Sequence, residues 1–600
     1  MASTKPFQHV DADALDGVNE SIADLGVRGR KARRAAGGSS KRGTRAKQRR
    51  NAKRAAMDHG WPAWEGLRPV LLFLLFPAIL AVGVALTGPW PSFLLYGVAA
   101  LMGLYVFSTA FHSVELVLAC FLLYLPFSTT FVIPVAPGVN GTNMLILLGL
   151  FAMTMRVANE RQGWIAWPRG TTVVLVFGFL TCISAFTVMR EPGGYEYLMY
   201  NELQSYKGWV DQFILYFIAL SCIRTIDVAK RVVVYMCIGA IILVLYSVPE
   251  MLDKMGNSSI DKSRIGGPHQ QPNMFGGFVA YTMLPLVALF VTYIKDIRAW
   301  LLTPYFLIAA KVLISTFSRG AYLAMAVGAL MAAYFKGKGF LIMWATLALC
   351  LLLVFPSLFP NAIKDRLFGS DDSGVVSAQP EKLDKSSEHR IILWRAGGKM
   401  ILESPILGKG FKGFQKLKGQ YTEKDVIESD PHNTYIYIAS QMGLPAMILF
   451  LMILGYSFHL GRMLSRNKED LFIRAIGIGG ASATVCYAII CVFGSRAVNL
   501  EFTSYFWAYL VCMQIIDMGL RERAIQAKPK KRRTNAYESR TDNNPEIGTD
   551  IVATAATPAE NAELPASLAP TRLGQRKRKR SNLSLGEARE KRRRLKHHRD

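Results

Sequence analysis

"SDPHNTYIYIASQMGLPAMILFLMILG", residues 429–455, sets Asp430, Pro431 and His432 directly before an apolar run that starts at Asn433. Followed to residue 457, the run is long enough to cross ~30 Å of hydrocarbon at ~1.5 Å per residue. A histidine at such a mouth stands beside a low-dielectric slab. There it can stay neutral near pH 7 and take a proton from a hydroxyl. A plainer reading makes it a helix-start residue, with Asp430 and Asn433 helping as caps. Spacing alone leaves both readings open.

The rest of the chain decides what kind of protein surrounds that histidine. It has 600 residues, 51% of them hydrophobic, and a mean hydropathy of +0.23. The apolar residues fall in membrane-length blocks such as "PVLLFLLFPAILAVGVAL" (69–86). Such blocks predict one polytopic membrane domain rather than several soluble ones. We count about 14 candidate membrane helices. They lie near 68–87, 91–110, 112–130, 142–157, 171–189, 209–223, 231–249, 274–294, 299–317, 320–335, 340–359, 433–457, 471–494 and 503–519. The fold class is therefore an all-α polytopic membrane bundle. Its expected divisions are 1–60, 61–359, 360–432, 433–522 and 523–600.

The formal net charge of +27 gathers at the two ends, as in "KPKKRR" (528–533) and "RKRKR" (576–580). We read residues 1–60 and 523–600 as disordered cytoplasmic tails that set topology, able to touch anionic lipid. Nucleic acid is not expected as a partner. With both termini inside, the short loops rich in Lys and Arg also fall inside. The opposite face then receives residues 190–207, 250–273, the turn "SRG" (318–320) and 360–432. Within that last insertion "HRIILWRAGGKMILESPILGKGF" (389–411) has Ile392, Trp394, Met400 and Ile401 at helical spacing. It predicts an amphipathic helix near the membrane surface.

Candidate chemistry concentrates on that same face. Arg319, in "FSRGAY", and Arg264, in "SRIGGPHQQPN", each sit beside a helix start. Two such guanidinium groups could clamp a diphosphate, or could simply anchor helix ends at the interface. Lys311 lies mid-helix, about 12 Å along the axis from Arg319, and either lines the same cavity or pairs internally. Glu115 is likewise costly in lipid unless it faces the bundle. All eight cysteines lie in apolar segments, so no structural disulfide is expected. No P-loop precedes a helix, and no carboxylate cluster has metal-ligand spacing.

The stretches "RIGGPHQQPNMFGGFVAYTMLPL" (264–286), "STFSRGAYLAM" (315–325), "HRIILWRAGGKMILESPILGKGFKGF" (389–414) and "PHNTYIYIASQMGLPAMI" (431–448), in this order, resemble the O-antigen ligase and polymerase superfamily of bacterial envelope glycosyltransferases. The resemblance covers roughly residues 68–520. It implies a GT-C-like bundle in the inner membrane, with the site facing the periplasm. It implies an undecaprenyl-diphosphate-linked glycan donor, a glycan, lipid or protein acceptor, and no cofactor or metal. His432 falls where the family places its acceptor-activating base. Arg264 and Arg319 fall on its diphosphate-binding arginines, and Arg390 is a further donor-binding candidate. Asp430, Asn433 and Lys311 are candidate cavity-lining residues. A ligase and a polymerase fit these residues equally. A transporter or flippase of lipid-linked sugar, or a structural membrane protein with nucleic-acid-binding tails, are the alternatives from other classes.

Overall fold

In the computed structural model the described residues are 67, 70–71, 103–111, 113–130, 140–160, 163–255, 260–354, 385–422, 428 and 430–526. They fall within the first of two compact units, residues 1–528. The expected helix at 68–87, most of that at 91–110, both basic tails and the first part of the 360–432 insertion lie outside them. Among the described residues every regular element is helical.

The longer helices, in chain order, are α1 (Val114–Tyr124), α2 (Gly141–Glu160), α3 (Thr171–Ser184), α4 (Leu203–Cys222) and α5 (Ile226–Tyr246). Then come α6 (Pro272–Thr292), α7 (Thr303–Ser315), α8 (Arg319–Lys336), α9 (Lys338–Val354) and α10 (Lys385–Glu403). The last are α11 (Thr434–Met442), α12 (Leu444–Leu464), α13 (Leu471–Val492) and α14 (Leu500–Gln526). Seven helical stretches among the described residues are long and apolar enough to cross a membrane. They are Gly141–Asn159, Thr171–Arg190, Ile226–Asp253, Pro272–Thr292, Ile297–Ser315, Leu444–Leu464 and Leu471–Val492. The other expected spans that can be seen are helical but fall short by length or mean hydropathy. α1 is short, and α4 carries Lys207 and Asp211 in its first half.

The starts of these helices follow local chemistry. Asp470 accepts hydrogen bonds from the Phe472 and Ile473 amides at 2.9 and 3.0 Å and so caps α13. Pro272, Pro304 and Pro445 stand in the first turns of α6, α7 and α12, where a missing N–H costs nothing. α13 forms the centre of the bundle and packs against α6, α8 and α12. Small residues make this possible. A Cβ on Gly461 of α12 would lie 2.4 Å from the Ala481 nitrogen. One on Gly477 would lie 2.2 Å from the Ser465 nitrogen, so the two backbones approach as only small residues allow.

The run expected as one membrane segment over 433–457 is two helices. Gly443 breaks it with φ +88, and α12 alone has membrane length. A side chain at Gly443 would strike the Ile406 carbonyl at 2.0 Å, because the chain after α10 packs there. The Leu444 amide donates to the Pro405 carbonyl at 2.7 Å. The amphipathic helix expected within 389–411 forms as α10, from Lys385 to Glu403. Its buried face is Leu393, Ala396 and Met400, closed by Phe414 and Leu417. It also packs on α11. Trp394 is half-buried, and its indole N–H donates to the Pro431 carbonyl at 2.8 Å.

Candidate functional site

His432 sits at the start of α11 in a turn built by its neighbours. Asp430 Oδ1 accepts from the His432 amide at 2.7 Å and from the Ser495 hydroxyl. Asn433 caps α11 by accepting from the Tyr435 and Ile436 amides at 2.9 and 3.1 Å. Both polar neighbours therefore serve the turn, and the histidine is left in left-handed backbone at φ +50. Such backbone is uncommon for a non-glycine residue and gathers at functional sites. All four non-glycine residues with positive φ among the described residues, Gln270, Phe317, Lys412 and His432, lie within the stretches that carry the family resemblance.

The imidazole of His432 is half-buried and makes no hydrogen bond among the described residues. Burial lowers its pKa below the ordinary histidine value; Asp430 opposes this, and the charges of Arg390 and Arg496 reinforce it. The neutral form is thus favoured at neutral pH, which is what a base needs.

Arg264 reaches the turn between α7 and α8, at whose end Arg319 stands. The Arg264 guanidinium donates to the Thr316 carbonyl at 3.1 Å and to Asn273 Oδ1 at 2.8 Å. The Ile265 amide donates to the Ser315 carbonyl at 3.1 Å. Arg319 begins α8 three residues after Thr316 and is exposed. Arg390 lies one helical turn before Trp394, on the helix that touches Pro431. Lys311 is exposed on α7 with no ion pair among the described residues. Glu115 pairs inside the bundle with Arg231, at 2.6 and 2.7 Å, and accepts from the Tyr235 hydroxyl at 2.9 Å.

The junction that joins these pieces is the turn "FGSRAVN" (493–499) between α13 and α14, which sequence reasoning passed over. Its Gly494 carbonyl accepts from the Thr434 hydroxyl at 2.7 Å, and its Arg496 amide donates to that hydroxyl at 2.8 Å. Its Asn499 amide group reaches Met274 Sδ at 3.3 Å. Its Phe493 ring presses on Gly320, where a Cβ would lie 2.9 Å away. One turn therefore touches the segments of His432, Arg319 and the start of α6. A signal was present in the sequence: a lone arginine in a short connector between two apolar helices.

Between α6, α7, α8 and α9 runs an apolar cavity of about 430 Å³, lined by residues such as Met283, Phe306, Met325, Ala329 and Trp344. Its α8 residues begin about 9 Å along the helix from Arg319.

An all-helical membrane protein with a polar site at one end of its bundle is the class that fold and site define. Residues 304–451, from α7 into α12, match the family described as O-antigen ligase. Members of this family are ligases or polymerases. Arg319, Arg390 and His432 fall inside the matched region; Arg264 and Arg496 fall outside it. No curated protein matches the chain.

Proposed function

We propose that the protein transfers a glycan from an undecaprenyl-diphosphate donor to an acceptor hydroxyl, as an O-antigen ligase does, at the periplasmic side of a bacterial inner membrane with both termini in the cytoplasm. The observation that carries this reading is the free, neutral-favouring imidazole of His432, held in strained backbone beside guanidinium groups. His432 takes the proton of the acceptor O–H as that oxygen attacks the anomeric carbon. The bond from that carbon to the diphosphate oxygen breaks, and undecaprenyl diphosphate leaves. A single displacement inverts the anomeric centre. Arg264 and Arg319, with Arg390, meet the charge that develops on the leaving group, where a fixed cation acts without reorganisation. Because guanidinium groups supply that charge, the transfer proceeds without a metal. The cavity along α8 gives part of the isoprenoid chain an apolar path away from Arg319.

The test is transfer in vitro, using purified protein, an undecaprenyl-diphosphate oligosaccharide, candidate acceptors and EDTA. Product from the wild type and none from His432→Ala is the expected result. Movement of the lipid-linked sugar across a vesicle without transfer would replace the enzyme by a flippase. In cells, loss of the gene should abolish attachment of the surface glycan. Survival of single attached repeats would instead make it the polymerase of the same family.

A further inference from the structure

Among the described residues two buried polar side chains, Arg496 in the turn bonded to Thr434 and His269 before α6, have nitrogens without a hydrogen-bond partner. Arg496 is 7% exposed and His269 8%. The Nε of Arg496 and both ring nitrogens of His269 find no hydrogen-bond partner. Among the described residues the Arg496 side chain has no ion pair either. Its guanidinium lies flat on Gly494, where a Cβ would come within 2.6 Å of Cζ.

The groups around it do not balance the charge. Burial brings Arg496 down to about 10, which leaves it protonated at neutral pH. Burial first, and then the Arg496 charge, push His269 down to about 4, so His269 is neutral. Arg390 opposes Arg496 with a like charge, while Asp430 favours it. The Asp430 carboxylate, however, already takes hydrogen bonds from the His432 amide and the Ser495 hydroxyl. A buried arginine is ordinarily matched by a carboxylate, since an unmatched buried charge is strongly unfavourable. Among the described residues that counter-ion is missing at the turn that joins the segments of His432 and Arg319.

We propose that Arg496, with neutral His269 beside it, binds the diphosphate of the lipid-linked donor, and so sets the leaving group in register with His432. This rests on the donor reading above and adds a cation to it from outside the region matched to the family. A guanidinium fork suits phosphate oxygens, and the neutral imidazole offers one further N–H donor.

The test uses the full chain in lipid nanodiscs and farnesyl diphosphate, a short isoprenoid diphosphate, as the probe, with farnesol as the control. Wild type should bind the diphosphate and be stabilised against heat by it. Arg496→Gln should weaken that binding at least about tenfold, the loss of one charge-assisted contact. Arg496→Lys should lose less, and His432→Ala should bind like wild type. Without ligand, Arg496→Gln should melt no lower than wild type, because an unmatched buried charge is removed. If Arg496→Gln fails to fold, Gly494→Ala keeps the arginine but displaces its guanidinium and should weaken binding likewise. Binding by Arg496→Gln or Gly494→Ala equal to wild type, with Arg264→Ala impaired, would overturn this inference alone. No binding by wild type would remove the diphosphate-donor reading and this inference with it.

Discussion

Buried cations in the bundle are treated in two ways. At the end where α5 and α13 begin, Arg231 and Lys230 are answered by carboxylates. Arg231 is held by both oxygens of Glu115, and Lys230 pairs with Asp470. At the other end, among the described residues, Arg496 has no ion pair and His432 has no hydrogen bond to its ring. The first arrangement neutralises charge within the fold and holds helices in register. The second leaves charge and proton-accepting capacity for something the chain does not contain. Burial alone thus does not mark a functional charge; the missing counter-ion sets Arg496 apart from Arg231 and Lys230.

The contrast can be broken most sharply at His432. His432→Ala should lower transfer on the order of 10²–10⁴-fold, the usual contribution of a general base, while the melting temperature stays near that of the wild type. Transfer at the wild-type rate would make the histidine a mere helix-start residue. Next in size, Arg264→Ala should lower transfer about 10²-fold through lost stabilisation of the leaving group. Its guanidinium also holds Thr316 and Asn273, so a circular dichroism melt should accompany the rate.

The pH profile sharpens the same point. The His432 pKa lies below the ordinary value near 6.5 because the ring is partly buried. The neutral, active form therefore predominates above 6.5, and activity should fall as the pH drops through the lowered value. An acid limb centred above 6.5 would contradict that environment.

Glu115→Gln tests the opposite end. It leaves the Arg231 charge in place without its counter-ion and should destabilise by about 2 kcal/mol, discounted from a deeper site because both side chains are partly exposed. Transfer per folded molecule should not change. Smallest of all, His389→Ala removes a pair with Glu428, at 2.9 Å, in which both side chains are more than a third exposed. It should cost less than about 1 kcal/mol in thermal unfolding.

Several parts of this protein could be read without coordinates. The membrane-length blocks, the break before Pro405 and the capping role open to Asn433 follow from local spacing, which local energetics obey. The place of His432 before an apolar run, and the order of the motif stretches, were also visible, because both are properties of the chain alone. The fate of each charge was not. Glu115 could have faced a wet cavity, yet it is met by an arginine 116 residues away. The helix that begins at Asn433 breaks at Gly443 because the chain after α10 packs against that point, a contact no periodicity announces. Arg496 looked like one more basic residue in a connector. Only the packing of α13, α14 and α11 buries it, and only that burial turns an ordinary surface cation into a charge that needs a partner. The sequence by itself determined the helices, the apolar bulk and the chemical types present at the site. Tertiary structure decided which charges are neutralised and which are left open, since pairing depends on distances between residues far apart in the chain and on the solvent that packing excludes.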